Sequence, residues 1–397
     1  MEDYEAQELE FWRKLEESEM SRSQMLKRSV AAAAGLTVLG TGGSAFAARQ
    51  VARAAAPPLH GKSVSMAQLV ANAKKEGHLN TIALPPDWAN YGEMMTTFTK
   101  KYGIGITNDN PDGSSAQENE AVRSLKGDSR APDAVDDSVA FAISGAAEGL
   151  FARYFNTNFG TIPRALKDTR GYWVGDYWGA VSIGYNSNII KTPPKTWQDL
   201  LKSDYKGKVA LNGSPLTSGS AIAGVFSAAL ANGGSVTNVA PGIDFFAKLK
   251  SSGNFIPVQS TPQTVASGQT PISIDWDYLN LAYVKEFPAA AWKVNVPSDG
   301  VYGAYYAQAI NATAPHPWAA RLWQEFMYSD QGQIIWLKGY SHPARFQDMA
   351  KRGVVPKALV AALPDAKIYA KVKFASSGQQ TRAKALIASQ WPSKVGA

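Results

Sequence analysis

The stretch Tyr177-Trp178-Gly179-Ala180-Val181-Ser182-Ile183-Gly184-Tyr185-Asn186 divides the chain into two series of alternating elements. Within it, Val181 to Tyr185 reads as a strand. Upstream, Met66 to Glu76 reads as a helix stopped by Gly77, and residues 78–84 as a strand closed by Pro85-Pro86. An amphipathic helix over 91–101 follows, then a short strand at 105–107. Next come a helix over 114–125 capped by Ser114 or Ser115, a strand at 134–136 and a helix over 140–148. Downstream, a turn at 192–197 leads to a helix at 198–202, a strand at 208–211 and helices over 218–230 and 243–251. A strand at 271–274, an extended run at 292–296 and a mostly helical end from Trp318 onward complete the series. This alternation predicts an α/β fold with a mainly parallel sheet, whose binding loops lie at the carboxyl ends of strands. No internal repeat is present.

Composition narrows the function classes. Hydrophobic residues make up 45% and charged residues 18% of 397, enough for two lobes with their own cores. No apolar run after the first 50 residues is long enough to span a bilayer. The absence of cysteine excludes disulfides, thiolate metal sites, a cysteine nucleophile and a lipid-modified cysteine anchor. Basic residues are scattered singly or in pairs such as Lys74-Lys75, which does not favour a nucleic-acid partner.

The first 47 residues read as an export segment. Residues 1–20 are acidic, Ser21 to Arg28 is a basic region, Val30 to Leu39 is a short apolar run, and Ala45-Phe46-Ala47 is an A-x-A site. Cleavage after Ala47 raises the net charge from +7 to +10. The basic region resembles a twin-arginine signal in which Ser23 replaces the second arginine and Met25 the phenylalanine, so either export route remains open. Residues 48–63 read as a flexible lead-in.

Four passages resemble one family in their order. Ala131-Pro132-Asp133-Ala134-Val135, the Tyr177 to Asn186 stretch, Pro194 to Leu201 with Tyr205-Lys206-Gly207-Lys208-Val209, and Pro315 to Gln333 span about residues 78–345. Together they resemble the extracellular solute-binding proteins of ABC importers, in the iron(III)/polyamine/phosphonate branch with the type II periplasmic fold. The resemblance implies two α/β lobes joined by crossings at 178–184 and 294–304. Lobe one is then 64–178 plus 304–397, and lobe two 184–294. It also implies a hinge that closes on a small-molecule ligand, a periplasmic location and an ABC permease in the inner membrane as partner. A monomer without stable membrane insertion, cofactor or metal is expected.

Candidate ligand-binding residues come from loops after strands. Asp87, Trp88 and Tyr91 offer a carboxylate and two aromatics, with a helix cap and core packing as the alternatives. Ser114 and Ser115, and Ser218, Gly219 and Ser220, precede helices and suit an anion or a polar group, or are ordinary caps. Asp275, Trp276, Asp277 and Tyr278 set carboxylates beside aromatic faces, which suits an ammonium group, or an acidic helix start. Iron-binding members carry adjacent tyrosines in this neighbourhood, and here only Tyr278 is present. Tyr177 and Trp178 stand before the first crossing and Tyr302 near the second.

A polyamine-like cation is the preferred solute, with iron(III), a phosphonate or a phosphate ester as alternatives. An exported hydrolase is a different class. No G-x-S-x-G elbow or H-E-x-x-H motif is present, and His60, His78, His316 and His342 are far apart in sequence. A sensor-linked binding module shares the fold. If the export reading holds, N-terminal sequencing of the secreted protein finds Ala48 first; an intact Met1 overturns it.

Overall fold

A computed structural model describes residues 57–396. The export segment and residues 48–56 of the lead-in lie outside the described residues. In chain order, the first half contains α1 (Met66–Glu76), β1 (His78–Ile82), α2 (Tyr91–Tyr102), β2 (Gly105–Asp109), α3 (Ser115–Ser124), β3 (Ala134–Ser138), α4 (Val139–Ala147) and β4 (Phe151–Ala152). Then follow β5 (Trp173–Asn186), β6 (Val209–Leu211), α5 (Gly219–Ala231), α6 (Ala240–Ser251), α7 (Pro262–Ala266), β7 (Ile272–Trp276), α8 (Asp277–Glu286) and β8 (Trp292–Asn295). β9 (Gly303–Asn311), α9 (Pro317–Met327), α10 (Asp330–Lys338) and β10 (His342–Pro343) lead through short helical turns to α11 (Ser377–Lys394).

Local chemistry sets the element ends. The Ser65 side chain accepts from the Gln68 amide to start α1, and Gly77, at φ 71°, ends it. β1 stops at Ile82, because Ala83 turns left-handed at φ 57° into the following loop. The expected helix at 198–202 is a 3-10 turn, Gln198–Leu201.

Eight strands form one sheet in the order β3-β9-β5-β7-β6, with β4 on β9 and both β8 and β10 on β5. The expectation of a mainly parallel sheet is corrected. Only β1–β2 and β6–β7 pair in parallel, while β5 and β9 pair antiparallel with each other and with their other neighbours. Two chain segments running in opposite directions through the middle of the sheet impose this pattern.

β5 is the backbone of the arrangement. Trp173 to Ala180 pairs with β9, and Val181 to Asn186 pairs with β7 and β8. It begins eight residues before the predicted strand start at Val181. Residues 173–184 are buried without interruption, so the alternation that marks a half-exposed strand is missing. A hydrogen bond from Val181 N to Tyr302 O, 2.9 Å, ties the partner change to the segment before β9.

α11 packs on α4 and on α6, one helix from each half. Trp391 meets Phe246 and Phe255, and Lys394 reaches Asp244 at 2.6 Å.

β1 joins β3 through Asp133, which is fully buried. Its carboxylate accepts from Asn80 N (2.6 Å), His316 N (2.5 Å) and His316 Nδ1 (2.9 Å), while its amide donates to Asn80 O (2.8 Å). The Asp133 partner raises the His316 value above 6.5. The pair therefore stabilises the fold fully below about pH 6.5 and fades as pH rises through the raised value. Asp133→Ala is expected to cost about 3 kcal/mol and to flatten that dependence, because it strands buried donors. Urea unfolding at pH 6 and 9 measures both.

Candidate ligand-binding cleft

The loops after β1, β2 and β6, together with the chain before α7, converge on a cavity of about 160 Å³ between the two halves. That volume suits a small metabolite and is below the roughly 300–1,000 Å³ of drug-sized sites. Asp87, Trp88, Asp112, Ser114, Ser115, Glu118 and Asp136, from the elements before β4, line it together with Tyr306 of β9. Asn212, Ser214, Thr217, Ser218, Gly219, Ser220, Gln259, Thr261 and Tyr283 come from the chain between β5 and β8.

Each loop is held in place. Left-handed Ala83 (φ 57°), Ala89 (φ 46°) and Asn90 (φ 71°) bracket the Asp87-Trp88 turn. Trp88 N donates to Pro85 O at 3.0 Å. Ser114 N donates to Gln117 Oε1 (2.9 Å), and Ser115 Oγ accepts from Ser138 N (3.0 Å). Across the cleft, Ser218 Oγ donates to Asn212 O at 2.7 Å, and Ser220 Oγ to the same oxygen at 3.2 Å. Gln259 Nε2 donates to Asn212 Oδ1 (3.1 Å), and Asn212 Nδ2 donates to Asp275 Oδ2 (2.9 Å).

A hydrogen-bond chain runs down from the cleft. Trp88 Nε1 donates to the Tyr177 hydroxyl (2.8 Å), which donates to Asp136 Oδ2 (3.0 Å). The Tyr91 hydroxyl donates to the same oxygen (2.7 Å) and accepts from Gln308 Nε2 (2.7 Å). Burial raises Asp87, with help from nearby Asp112, and lifts Asp136 to about 7. Among the described residues, no lysine, arginine or histidine lines the cavity.

The structure brings together seven of the residues singled out from sequence: Asp87, Trp88, Ser114, Ser115, Ser218, Gly219 and Ser220 all line the cavity. Tyr91 and Tyr177 lie beneath it, in the chain to Asp136. Asp275, Trp276, Asp277 and Tyr278 are buried behind the lining. Asp277 is tied to Ala180 N (3.1 Å), Tyr278 N and the Tyr369 hydroxyl, and burial holds it and Asp275 at about 7. Trp178 stacks on His342 at 4.0 Å, and Tyr302 stacks on Phe226 and bonds to Gln380, so both serve packing. Of the adjacent tyrosines, Tyr306 lines the cavity while Tyr305 turns away to Ala165 O.

Sequence reasoning passed over Glu118 and Asp136 as site residues. The available signal was two adjacent aspartates, Asp136-Asp137, on a strand buried on every face. Asn212, Gln259 and Tyr283 left no local signal.

The chain matches the family model of bacterial extracellular solute-binding proteins over residues 138–371, more than half its length. No protein of curated function matches it in sequence. Among solved structures it is similar to the periplasmic binding protein AfuA from Actinobacillus pleuropneumoniae with fructose-6-phosphate bound. There the identity is 18% and the TM-score 0.61, over 80% of this chain and 98% of that one. It is also similar to apo ferric ion-binding protein A from Pasteurella haemolytica (17%, TM-score 0.57, 79% and 97%). A third similar structure is AgtB from A. tumefaciens R10 with agropinic acid (13%, TM-score 0.62, 80% and 98%). At these identities the likeness is one of fold, the two-lobed type II periplasmic binding fold.

The two halves touch where Gly219 meets Ser138: a Cβ on Gly219 would lie 2.1 Å from the Ser138 Cβ. Gly219→Val is expected to wedge the halves apart and to weaken solute binding about tenfold or more, the effect of 1–3 kcal/mol of overpacking. Small-angle scattering should show a larger radius of gyration with unchanged circular dichroism; an unchanged radius and affinity would refute the contact.

Proposed function

The chain belongs to the bacterial extracellular solute-binding proteins, and from that premise we propose that it captures a small cationic solute of polyamine type by closing two lobes over it. The family is one of binding proteins, not enzymes. The observation that carries the cationic reading is the lining: Asp87, Asp112, Glu118 and Asp136 line the cavity, with no basic side chain among the described residues that line it. The faces of Trp88, Tyr283 and Tyr306 add attraction for an ammonium group.

The lobe division belongs to the same proposal. Lobe one is 64–178 with 304–397, lobe two is 184–294, and the crossings are 178–184 and 294–304. Two features support it: the partner change of β5 at Ala180/Val181, and the bond from Val181 to Tyr302. Closure is then rotation about these two segments. The delivery partner in this reading is an ABC permease, reached by a monomer released into the periplasm after cleavage near Ala47. No helix among the described residues is long and apolar enough to cross a membrane.

A phosphate ester, phosphonate or zwitterion is the second reading. The N-termini of α3 and α5, with Ser114, Ser115, Ser218 and Ser220, favour it by directing positive dipole ends into the cavity. Iron(III) has less support: no cluster of three or more His, Cys, Asp or Glu suited to a metal occurs among the described residues.

Thermal-shift screening separates these readings. At a hundredfold excess over Kd a ligand contributes about 2.7 kcal/mol, or roughly 5 °C in Tm. 1,4-Diaminobutane or spermidine is expected to give that shift and fructose-6-phosphate none; the reverse result overturns the cationic reading.

A further inference from the structure

Four carboxyl side chains share one buried region below the cavity. Glu118 on α3, Asp136 and Asp137 on β3 and Asp176 on β5 are each at most 4% exposed. Asp136 N donates to Glu118 Oε2 at 2.8 Å. The Tyr177 hydroxyl donates to Asp136 Oδ2 while the Tyr177 amide donates to Asp176 Oδ1, and the charge of Asp136 disfavours ionisation of Asp176. No N–H or O–H donor among the described residues reaches Asp136 Oδ1 or either Asp137 oxygen within bonding geometry. Asp176 accepts from Tyr177 N (2.8 Å) and Gln308 Nε2 (3.1 Å).

The groups packed around the cluster do not neutralise it. α2 contributes the Tyr91 hydroxyl and β5 the Tyr177 hydroxyl. β9 contributes Gln308 and Tyr306, α8 contributes Tyr278, and the end of α9 contributes Tyr328. Asp87 and Asp112 stand above, around the cavity. Among the described residues, Lys384 on α11, whose ammonium sits 3.5 Å from the Phe141 ring centroid, is the basic side chain whose charge acts on Asp137. Four carboxylates opposed by one ammonium at low dielectric cannot all ionise, so the cluster holds protons at neutral pH. Burial and mutual repulsion push Glu118, Asp137 and Asp176 upward, and burial pushes Asp136 to about 7. Glu118 and Asp136 also line the cavity, so a bound solute touches the cluster directly.

We propose that an ammonium group of the solute seats against Glu118 and Asp136 and displaces a proton from the cluster into solvent, so that capture is an exchange of cation for proton. This rests on the cationic reading above. The sign follows from linkage. Below about pH 7 the empty cluster keeps its proton and capture must expel it, so affinity falls up to tenfold per pH unit. Above the range where the empty cluster loses the proton, affinity levels off.

Calorimetric titration of the full chain with 1,4-diaminobutane, in buffers of differing ionisation enthalpy between pH 6 and 8, reads the exchange directly. Release of about half to one proton per diamine near pH 7 is expected. D136N and E118Q, which mimic the protonated carboxyls, should lose the release and bind at least tenfold more weakly at pH 8, with Tm unchanged or raised. Diamine binding with the same heat in every buffer overturns the exchange and leaves the cationic reading standing. Wild-type proton release in both variants overturns the assignment to these residues. No diamine binding at any pH removes the cationic reading and the exchange with it.

Discussion

Everything in this molecule is arranged around a strand that must belong to two half-sheets at once. β5 pairs with β9 between Trp173 and Ala180, around an irregularity from Gly175 to Trp178, and gives its last six residues to β7 and β8. In the proposed two-lobe reading, relative motion of the lobes is absorbed in β5 and in the segment before β9, which Val181 N and Tyr302 O tie together. Small residues sit at the junction for a steric reason. A Cβ on Gly179 would lie 2.5 Å from the Tyr278 ring, and one on Gly303 would lie 2.6 Å from Val372. The close approach of backbone to side chain there leaves room for glycine alone.

The floor of the cleft is built from the same strands. Asp176 and Tyr177 lie on β5, Gln308 lies on β9, and both reach the Asp136 network on β3. Trp88 connects this network to the cavity through one hydrogen bond. A ligand that moves Trp88 or charges Asp136 thus acts on groups of β3, β5 and β9 directly. α11 adds a third link between the halves, packing on α4 and α6 along the flank of the sheet.

Much of this was legible in the sequence, and the exceptions share a cause. Helix and strand positions came through because caps and stops such as Gly77 and Ser114 act within a few residues. Asp87, Trp88, Ser114, Ser115 and Ser218 to Ser220 were legible because loops after strands in α/β folds line clefts, whatever the ligand. The Asp275 to Tyr278 group presented the chemistry of a cation site, yet its partners Asn212, Ala180 and Tyr369 come from 63 to 97 residues away and enclose it. In the sequence Glu118 stands in the first turn of a helix and Asp136 on a strand. Their meeting depends on how α3 packs on β3, which no local pattern encodes. The sheet direction was misjudged for a similar reason: alternation of strand and helix says nothing about strands that return between lobes.

The sign of the field inside the cleft is the remaining question of physics, and protonation decides it. A helix N-terminus is worth about 0.3–1 kcal/mol to an anion at its end, and up to about 2 in a sheltered geometry. An ionised carboxylate 4 Å from an ammonium is worth about 4 kcal/mol at an effective dielectric of 20. Two dipole ends, at α3 and α5, therefore cannot outweigh even a single ionised carboxylate by much. They can prevail only over carboxyls that hold a proton. Crowding with Asp137 and Asp176 keeps Glu118 and Asp136 partly in that neutral form. The acids at the cleft floor are thus restrained from repelling an approaching polar solute, yet become its counter-charge once an ammonium group arrives. A cleft lined with acids and helix starts, which looks contradictory as a static charge pattern, is coherent when the proton is counted among its ligands.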